Sequence, residues 1–196
     1  KFLHNTSFIN NTSFMNPLTI EYFSSPITKS SGFTPLMHAV MAKDLNQIQE
    51  FINSKEDNSK DYINTKNTKG WTALHLACRN SNIGNKEIGL EIVEFLLKCK
   101  ADPNLQNNDG YTALMYASRY SNTDSSIETI ELLLKYKSDP NLQNSDGWSA
   151  LMFASRCSNT TSSIETVELL LKYKADPNLQ NNDGCTALLF ASRNSN

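Results

Sequence analysis

Long hydrophobic runs are missing from this 196-residue chain: its densest apolar clusters, Ile92-Val93 and Phe95-Leu96-Leu97, are broken by Glu94 and Lys98. Neither approaches the ~20 residues that a membrane helix needs. The ~7–15-residue apolar stretch of a signal peptide is also lacking, because Lys1-Phe2-Leu3-His4 runs directly into Asn5-Thr6. The expectation is a cytoplasmic chain, in the host cytoplasm or nucleus if the source is viral or parasitic. Cysteine is sparse, with residues only at 78, 99, 157 and 185, no close pair, and no Cys/His grouping at metal-ligand spacing. This excludes a disulfide framework and gives no reason to expect a metal or another cofactor. A dominant charge is lacking too: 18 Lys and Arg face 20 Asp and Glu, which argues against nucleic acid as a partner. No nucleophile recurs beside a base, so an enzyme is not expected.

Glycine is also scarce, at seven residues, but five of the seven open the same pattern. The pattern reads Gly32-Phe33-Thr34-Pro35-Leu36, Gly70-Trp71-Thr72-Ala73-Leu74, Gly110-Tyr111-Thr112-Ala113-Leu114, Gly147-Trp148-Ser149-Ala150-Leu151 and Gly184-Cys185-Thr186-Ala187-Leu188, at spacings of 38, 40, 37 and 37. Gly110 to Asp146 and Gly147 to Asp183 agree at 29 of 37 positions. A period of this length marks a stacked repeat array. The blocks are a lead-in over 1–31 with a short capping helix after Asn16-Pro17, then repeats 1 to 4 over 32–69, 70–109, 110–146 and 147–183, and a partial repeat 5 over 184–196. The chain opens without Met and closes inside the pattern, which reads as an excerpt of a longer array.

Within a unit, Asn107-Asn108-Asp109-Gly110 signals a tight turn, and Thr112 is placed to cap a short helix carrying Leu114, Met115 and Ala117. Ser125 with Glu128, and Ser162 with Glu165, have capping-box spacing at the start of a second helix. That helix carries Leu132-Leu133-Leu134 and an outward pair, Glu131 with Lys135, repeated as Glu94 with Lys98 and Glu168 with Lys172. The exit is Ala-Asp-Pro-Asn or Ser-Asp-Pro-Asn.

Gly-x-Thr-Pro/Ala-Leu-x-x-Ala, Leu-Leu-Leu and Ala-Asp-Pro-Asn in that order resemble the ankyrin repeat. The resemblance implies an all-α solenoid of stacked helix pairs with short β-hairpin tips, and no enzymatic activity. The family's period is about 33 residues, so these units carry insertions. About four residues are added within Ser121 to Ser125 and Ser158 to Ser162, more through Ile83 to Gly89, and a longer exit loop runs over Lys55 to Lys60. Lys100, Lys137 and Lys174 stand where the family commonly has the glycine that ends the second helix. His75 fills a position where the family commonly has a histidine bonded within its own turn, and Met115, Met152 and Leu189 replace it in later units. Asn104, Asn141 and Asn178 follow Asp-Pro. The resemblance gives them a structural bond across the hairpin, and makes them the positions that asparaginyl hydroxylases modify in some members.

Two ladders are the sharpest functional signal. Phe33, Trp71, Tyr111 and Trp148 follow the turn glycines, with Cys185 last in line, and all four Arg of the chain, Arg79, Arg119, Arg156 and Arg193, stand nine residues after theirs. Aromatic residues and arginine dominate interface hot spots. One reading is a groove that holds a protein partner; the other is that both ladders cross-link neighbouring repeats. The function expected is a scaffold or adaptor that binds a protein partner, or a structural protein that joins copies of itself through the aromatic ladder or the uncovered repeat ends.

Overall fold

A computed structural model describes residues 32–54, 59–158, 160 and 162–193. The lead-in and its expected capping helix lie outside the described residues. Helices, with no strands among the described residues, alternate in the expected order except for one extra short helix, Ser59–Ile63, which begins within the stretch read as the first unit's exit loop. They are α1 Pro35–Ala42, α2 Leu45–Asn53, α3 Ser59–Ile63, α4 Ala73–Arg79, α5 Lys86–Lys98, α6 Ala113–Arg119, α7 Ile127–Lys135, α8 Ala150–Cys157, α9 Ile164–Lys172 and α10 Ala187–Arg193.

The first helix of each unit has seven or eight residues, too few to hold in water alone. Packing supplies the rest: α1, α4, α6, α8 and α10 form one continuous row, and α5, α7 and α9 a second row behind it. Every residue of α4 is buried, as are Leu114 and Met115 of α6 and Ile130 and Leu133 of α7. Each such aliphatic side chain contributes about 1.5–3 kcal/mol. Glu94–Lys98 and Glu131–Lys135 close at 2.9 and 3.0 Å on the solvated face of the second row.

The expected hairpin tips are tight turns instead. Asn107 Oδ1 accepts the backbone N–H groups of Asp109 and Tyr111 at 3.0 and 2.8 Å, and the Asn107 N–H donates to the Tyr111 carbonyl at 2.9 Å. Asn67, Asn144 and Asn181 do the same at the other tips. Neighbouring tips exchange only one backbone bond, such as Ser145 N–H to the Asp109 carbonyl at 3.0 Å, so no sheet ladder forms. Gly110 is required twice over at its tip: its φ is +79°, and a Cβ there would lie 2.7 Å from the nitrogen of Ser145.

The second helices depart from the sequence reading at both ends. Their caps are Ser126 and Ser163, which accept from the backbone of Thr129 and Thr166. The box therefore sits one residue later than Ser125 and Glu128 suggest, and Glu128 is left to meet Lys86 of the preceding repeat at 2.9 Å. At the exits Lys100, Lys137 and Lys174 adopt the left-handed conformation, with φ of 70°, 65° and 66°. Lys137 donates to the Leu134 carbonyl at 3.1 Å and Ser138 to that of Leu133 at 2.9 Å. This is the two-bond helix ending for which glycine is usual.

The inserted residues divide between two uses. Those around 83–89 extend α5 to 13 residues, with Asn85 as cap, where α7 and α9 have nine. A Cβ on Gly89 would lie 1.9 Å from the Ser81 carbonyl oxygen, so glycine lets this longer helix approach the α4 exit. The insertions before α7 and α9 contribute Ser125 and Ser162, 3.3 Å from Ser81 and 3.2 Å from Ser121, to a buried seam of hydroxyls that the helices complete. Thr129 donates to Ser81 at 2.7 Å and Thr166 to Ser121 at 2.8 Å, while the side-chain amides of Asn82 and Asn122 reach the carbonyls of Thr123 and Ser162 at 2.8 and 2.7 Å.

Candidate functional site

The tip and first helix of each unit bring three positions to one face: the residue after the turn glycine, the sixth and the ninth. Phe33 lies 5.6 Å from the His38 ring. From Trp71 onward the contacts become continuous. Trp71 stacks on Tyr116 of the next unit at 4.4 Å, and Tyr116 on its own Tyr111 at 5.0 Å. Tyr111 meets Phe153 at 5.4 Å, Phe153 meets Trp148 at 5.0 Å, and Trp148 meets Phe190 at 4.4 Å. Two ladders therefore interdigitate into one aromatic zipper across three seams.

The partners of the expected ladder, Tyr116, Phe153 and Phe190, went unnoticed in the sequence. Their six-residue offset from Gly110, Gly147 and Gly184 was the available signal. Phe190 is buried, whereas Leu188 and Leu189 remain 75% and 38% exposed. Tyr111 is half-buried, and its burial raises its pKa.

The arginines share a register but differ in surroundings. Arg79 is buried, its Nε has no acceptor among the described residues, and its guanidinium carbon lies 5.8 Å from the Trp71 ring centre and 6.0 Å from that of Tyr120. Arg119 is half-buried, 5.2 Å from Tyr120 and 5.7 Å from Phe153. Arg156 and Arg193 are exposed, and Arg156 stacks on Trp148 at 5.2 Å. Cations held against ring faces gain about 0.5–2 kcal/mol each, more as they are desolvated. Between repeats 3 and 4 this face opens into a cleft of about 260 Å³ lined by Tyr111, Arg119, Asp146, Trp148, Phe153, Arg156 and Cys157.

His75 is a seam residue. Its Nδ1 accepts the Thr72 N–H at 3.2 Å and its Nε2 donates to the Tyr111 carbonyl, in the next repeat, at 3.0 Å. Burial lowers its pKa to about 4. In the next unit Met115 Sδ takes the Thr112 N–H at 3.4 Å. All four cysteines are free, and burial raises the pKa of Cys78, the most enclosed of them.

The asparagines of the exit loop bond forward to the next repeat, not across their own turn. Asn104 Oδ1 accepts the Asp139 N–H at 2.7 Å while its amide donates to the Lys137 carbonyl at 3.2 Å. Asn141 repeats this with Asp176 and Lys174, at the same two distances. Asn64, outside the Asp-Pro-Asn pattern and so overlooked, does it one repeat earlier with Asp102 and Lys100, at 2.8 and 3.3 Å. Asn178 is exposed. These bonds explain how left-handed lysines are tolerated, since each lysine carbonyl is held by the preceding asparagine.

Comparison with known proteins agrees with this architecture. The family model described as ankyrin repeats (3 copies) matches residues 3–88, 85–180 and 123–196. Two proteins of Acanthamoeba polyphaga mimivirus that carry the name ankyrin repeat protein, L122 and L86, are 34% identical over 85 residues and 33% over 86. The matched stretches are 42% and 44% of this chain but only 13% and 14% of those proteins. With its turn-helix-helix units, its repeated caps and a family match along nearly all its length, the chain belongs to the ankyrin repeat family.

Proposed function

We propose that this chain is a non-enzymatic interaction module that binds a protein partner through the tip and first-helix face. Ankyrin repeats are generally protein–protein interaction modules. The observation that carries the reading is the cleft between repeats 3 and 4, where the half-buried guanidinium of Arg119 lies against the buried ring of Phe153 and the exposed one of Arg156 over the partly exposed ring of Trp148. Cations and rigid rings at a concave site are the anchors that interfaces favour. Phe33, Trp71, Arg79 and Arg193 extend the same registers along the array, Trp71 and Arg79 chiefly as packing. The viral source of both relatives supports a host-cell cytoplasm or nucleus as the setting. No helix among the described residues is long and apolar enough to cross a membrane.

The test is affinity capture with the parent and with an Arg119→Gln, Arg156→Gln double variant, alongside thermal unfolding of both. The reading expects a partner held by the parent and lost by an equally stable variant. Lower stability with unchanged capture would make these arginines structural and refute the assignment. A second reading, self-assembly, is favoured by the exposure of Leu188 and Leu189 on α10. It expects a solution mass that is a defined multiple of 22.0 kDa and falls to the monomer value in Leu188→Glu.

A further inference from the structure

The seams on the two sides of repeat 3 differ in one residue that matters. Between repeats 2 and 3, Tyr120 is 5% exposed and its ring lies 6.0 Å from the guanidinium of Arg79 and 5.2 Å from that of Arg119. A phenol ring therefore occupies the space between two successive rungs of the arginine ladder. In repeat 4 the residue after Arg156 is Cys157, whose side chain ends where the ring of a tyrosine would begin. The cleft of about 260 Å³ is at this place, with Arg119, Arg156 and Cys157 among its walls. It is an internal comparison: the same fold, the same arginine register, one seam filled and the next open.

We infer that the cleft receives one aromatic side chain of a partner polypeptide, which takes beside Arg119 and Arg156 the place that Tyr120 takes beside Arg79 and Arg119. The inference rests on the reading of this face as the binding face and specifies what it binds. Size favours a single side chain, since small-molecule sites usually start at about 300 Å³. The walls suit a ring: Trp148 and Phe153, whose faces are engaged in the zipper, line the cleft with ring edges for edge-to-face contact, and the guanidiniums attract the electron-rich face of an incoming ring. Charge suits acidic neighbours. Two arginines against the single carboxylate of Asp146 leave the rim net positive, so the ring is expected to come from an acidic stretch of the partner.

The probe is a pair of short peptides, Asp-Glu-Tyr-Asp-Glu and the same sequence with Ala in place of Tyr, titrated into the isotopically labelled full chain. The readout is the indole N–H resonance of Trp148, identified by its loss in Trp148→Phe. The tyrosine peptide is expected to shift this resonance saturably, and the alanine peptide to bind at least tenfold more weakly. Cys157→Tyr, which supplies the missing ring from within, is expected to weaken the tyrosine peptide at least tenfold. If that variant does not fold, Arg156→Gln carries the same expectation. Equal binding of the two peptides, undiminished binding by the folded Cys157→Tyr variant, or no shift at all at millimolar peptide overturns the inference. Partner capture separates the two levels. Capture that survives Cys157→Tyr but not Arg119→Gln with Arg156→Gln leaves the module reading standing and removes the aromatic-acceptor cleft. Peptide binding with no partner captured does the reverse.

Discussion

Acid should unfasten the seam between repeats 2 and 3 through His75. Its ring is 1% exposed, accepts from Thr72 and donates to the carbonyl of Tyr111, so both nitrogens are committed in the neutral form. Burial lowers its folded pKa to about 4 from 6.5. Between those values the unfolded chain binds a proton that the folded chain refuses, so stability falls as pH drops from about 6.5 and levels off below about 4. At 1.36 kcal/mol per unit the loss reaches about 3 kcal/mol. The array contains its own control, because methionine occupies this position as Met115 and Met152. His75→Met loses the bond to Tyr111, about 1 kcal/mol at pH 7, but loses the acid sensitivity as well. The two stability curves, from urea unfolding at a series of pH values, should therefore cross near pH 6, with the variant about 2 kcal/mol the more stable at pH 4. The difference between the curves cancels other groups, including Glu128, whose pKa the Lys86 hydrogen bond lowers. Parallel curves would refute the assignment of His75 as a buried neutral lock.

Two further expectations concern the repeat exits. Replacing Lys100, Lys137 and Lys174 together by glycine relieves a left-handed strain of about 1–2 kcal/mol per site, offset by the ~0.5–1 kcal/mol that glycine costs in chain entropy. The triple variant should gain about 2 kcal/mol in urea unfolding, whereas alanine at the same sites, which keeps the Cβ, should gain nothing; an equal gain from alanine would show that the backbone is not the source. Asn141→Ala removes its bonds to Asp176 and Lys174 and should cost about 1 kcal/mol. Asn178→Ala is the comparison, since its exposed side chain should contribute far less, and equal losses would argue against the clamp.

What the sequence revealed and what it hid follow one physical division. Contacts within a unit have fixed short spacings, so Thr112 as a cap, the turn at Asn107 to Gly110 and the burial of Leu114 and Leu133 could be read directly. Contacts between units join residues about one period apart and carry no local pattern. Hence Asn64 and the rings of Tyr116, Phe153 and Phe190 were missed. The capping register of α7 was displaced by one because Ser125 and Ser126 are chemically equal in sequence, and only the seam with Ser81 tells them apart. The arginine register was plain, but its gradient from buried Arg79 to exposed Arg156 depends on the next repeat, since Tyr120 lies against Arg79 where Cys157 stands one repeat on.

The four residues added before α7 and α9 have a mechanical consequence. Neighbouring repeats are tied at the tips by Gln106 and Gln143, each donating at 2.9 Å to the next unit's carbonyl, and again at the opposite loops by the hydroxyls of the inserted Ser125 and Ser162, 3.3 Å from Ser81 and 3.2 Å from Ser121. A stack fastened along one margin only would open like a fan. One fastened along both margins resists opening and twisting alike, so it behaves as a stiff spring whose curvature is fixed before anything docks. The inserted serines are thus the rivets of the second margin, and shortening those loops would soften the spring while leaving each plate intact.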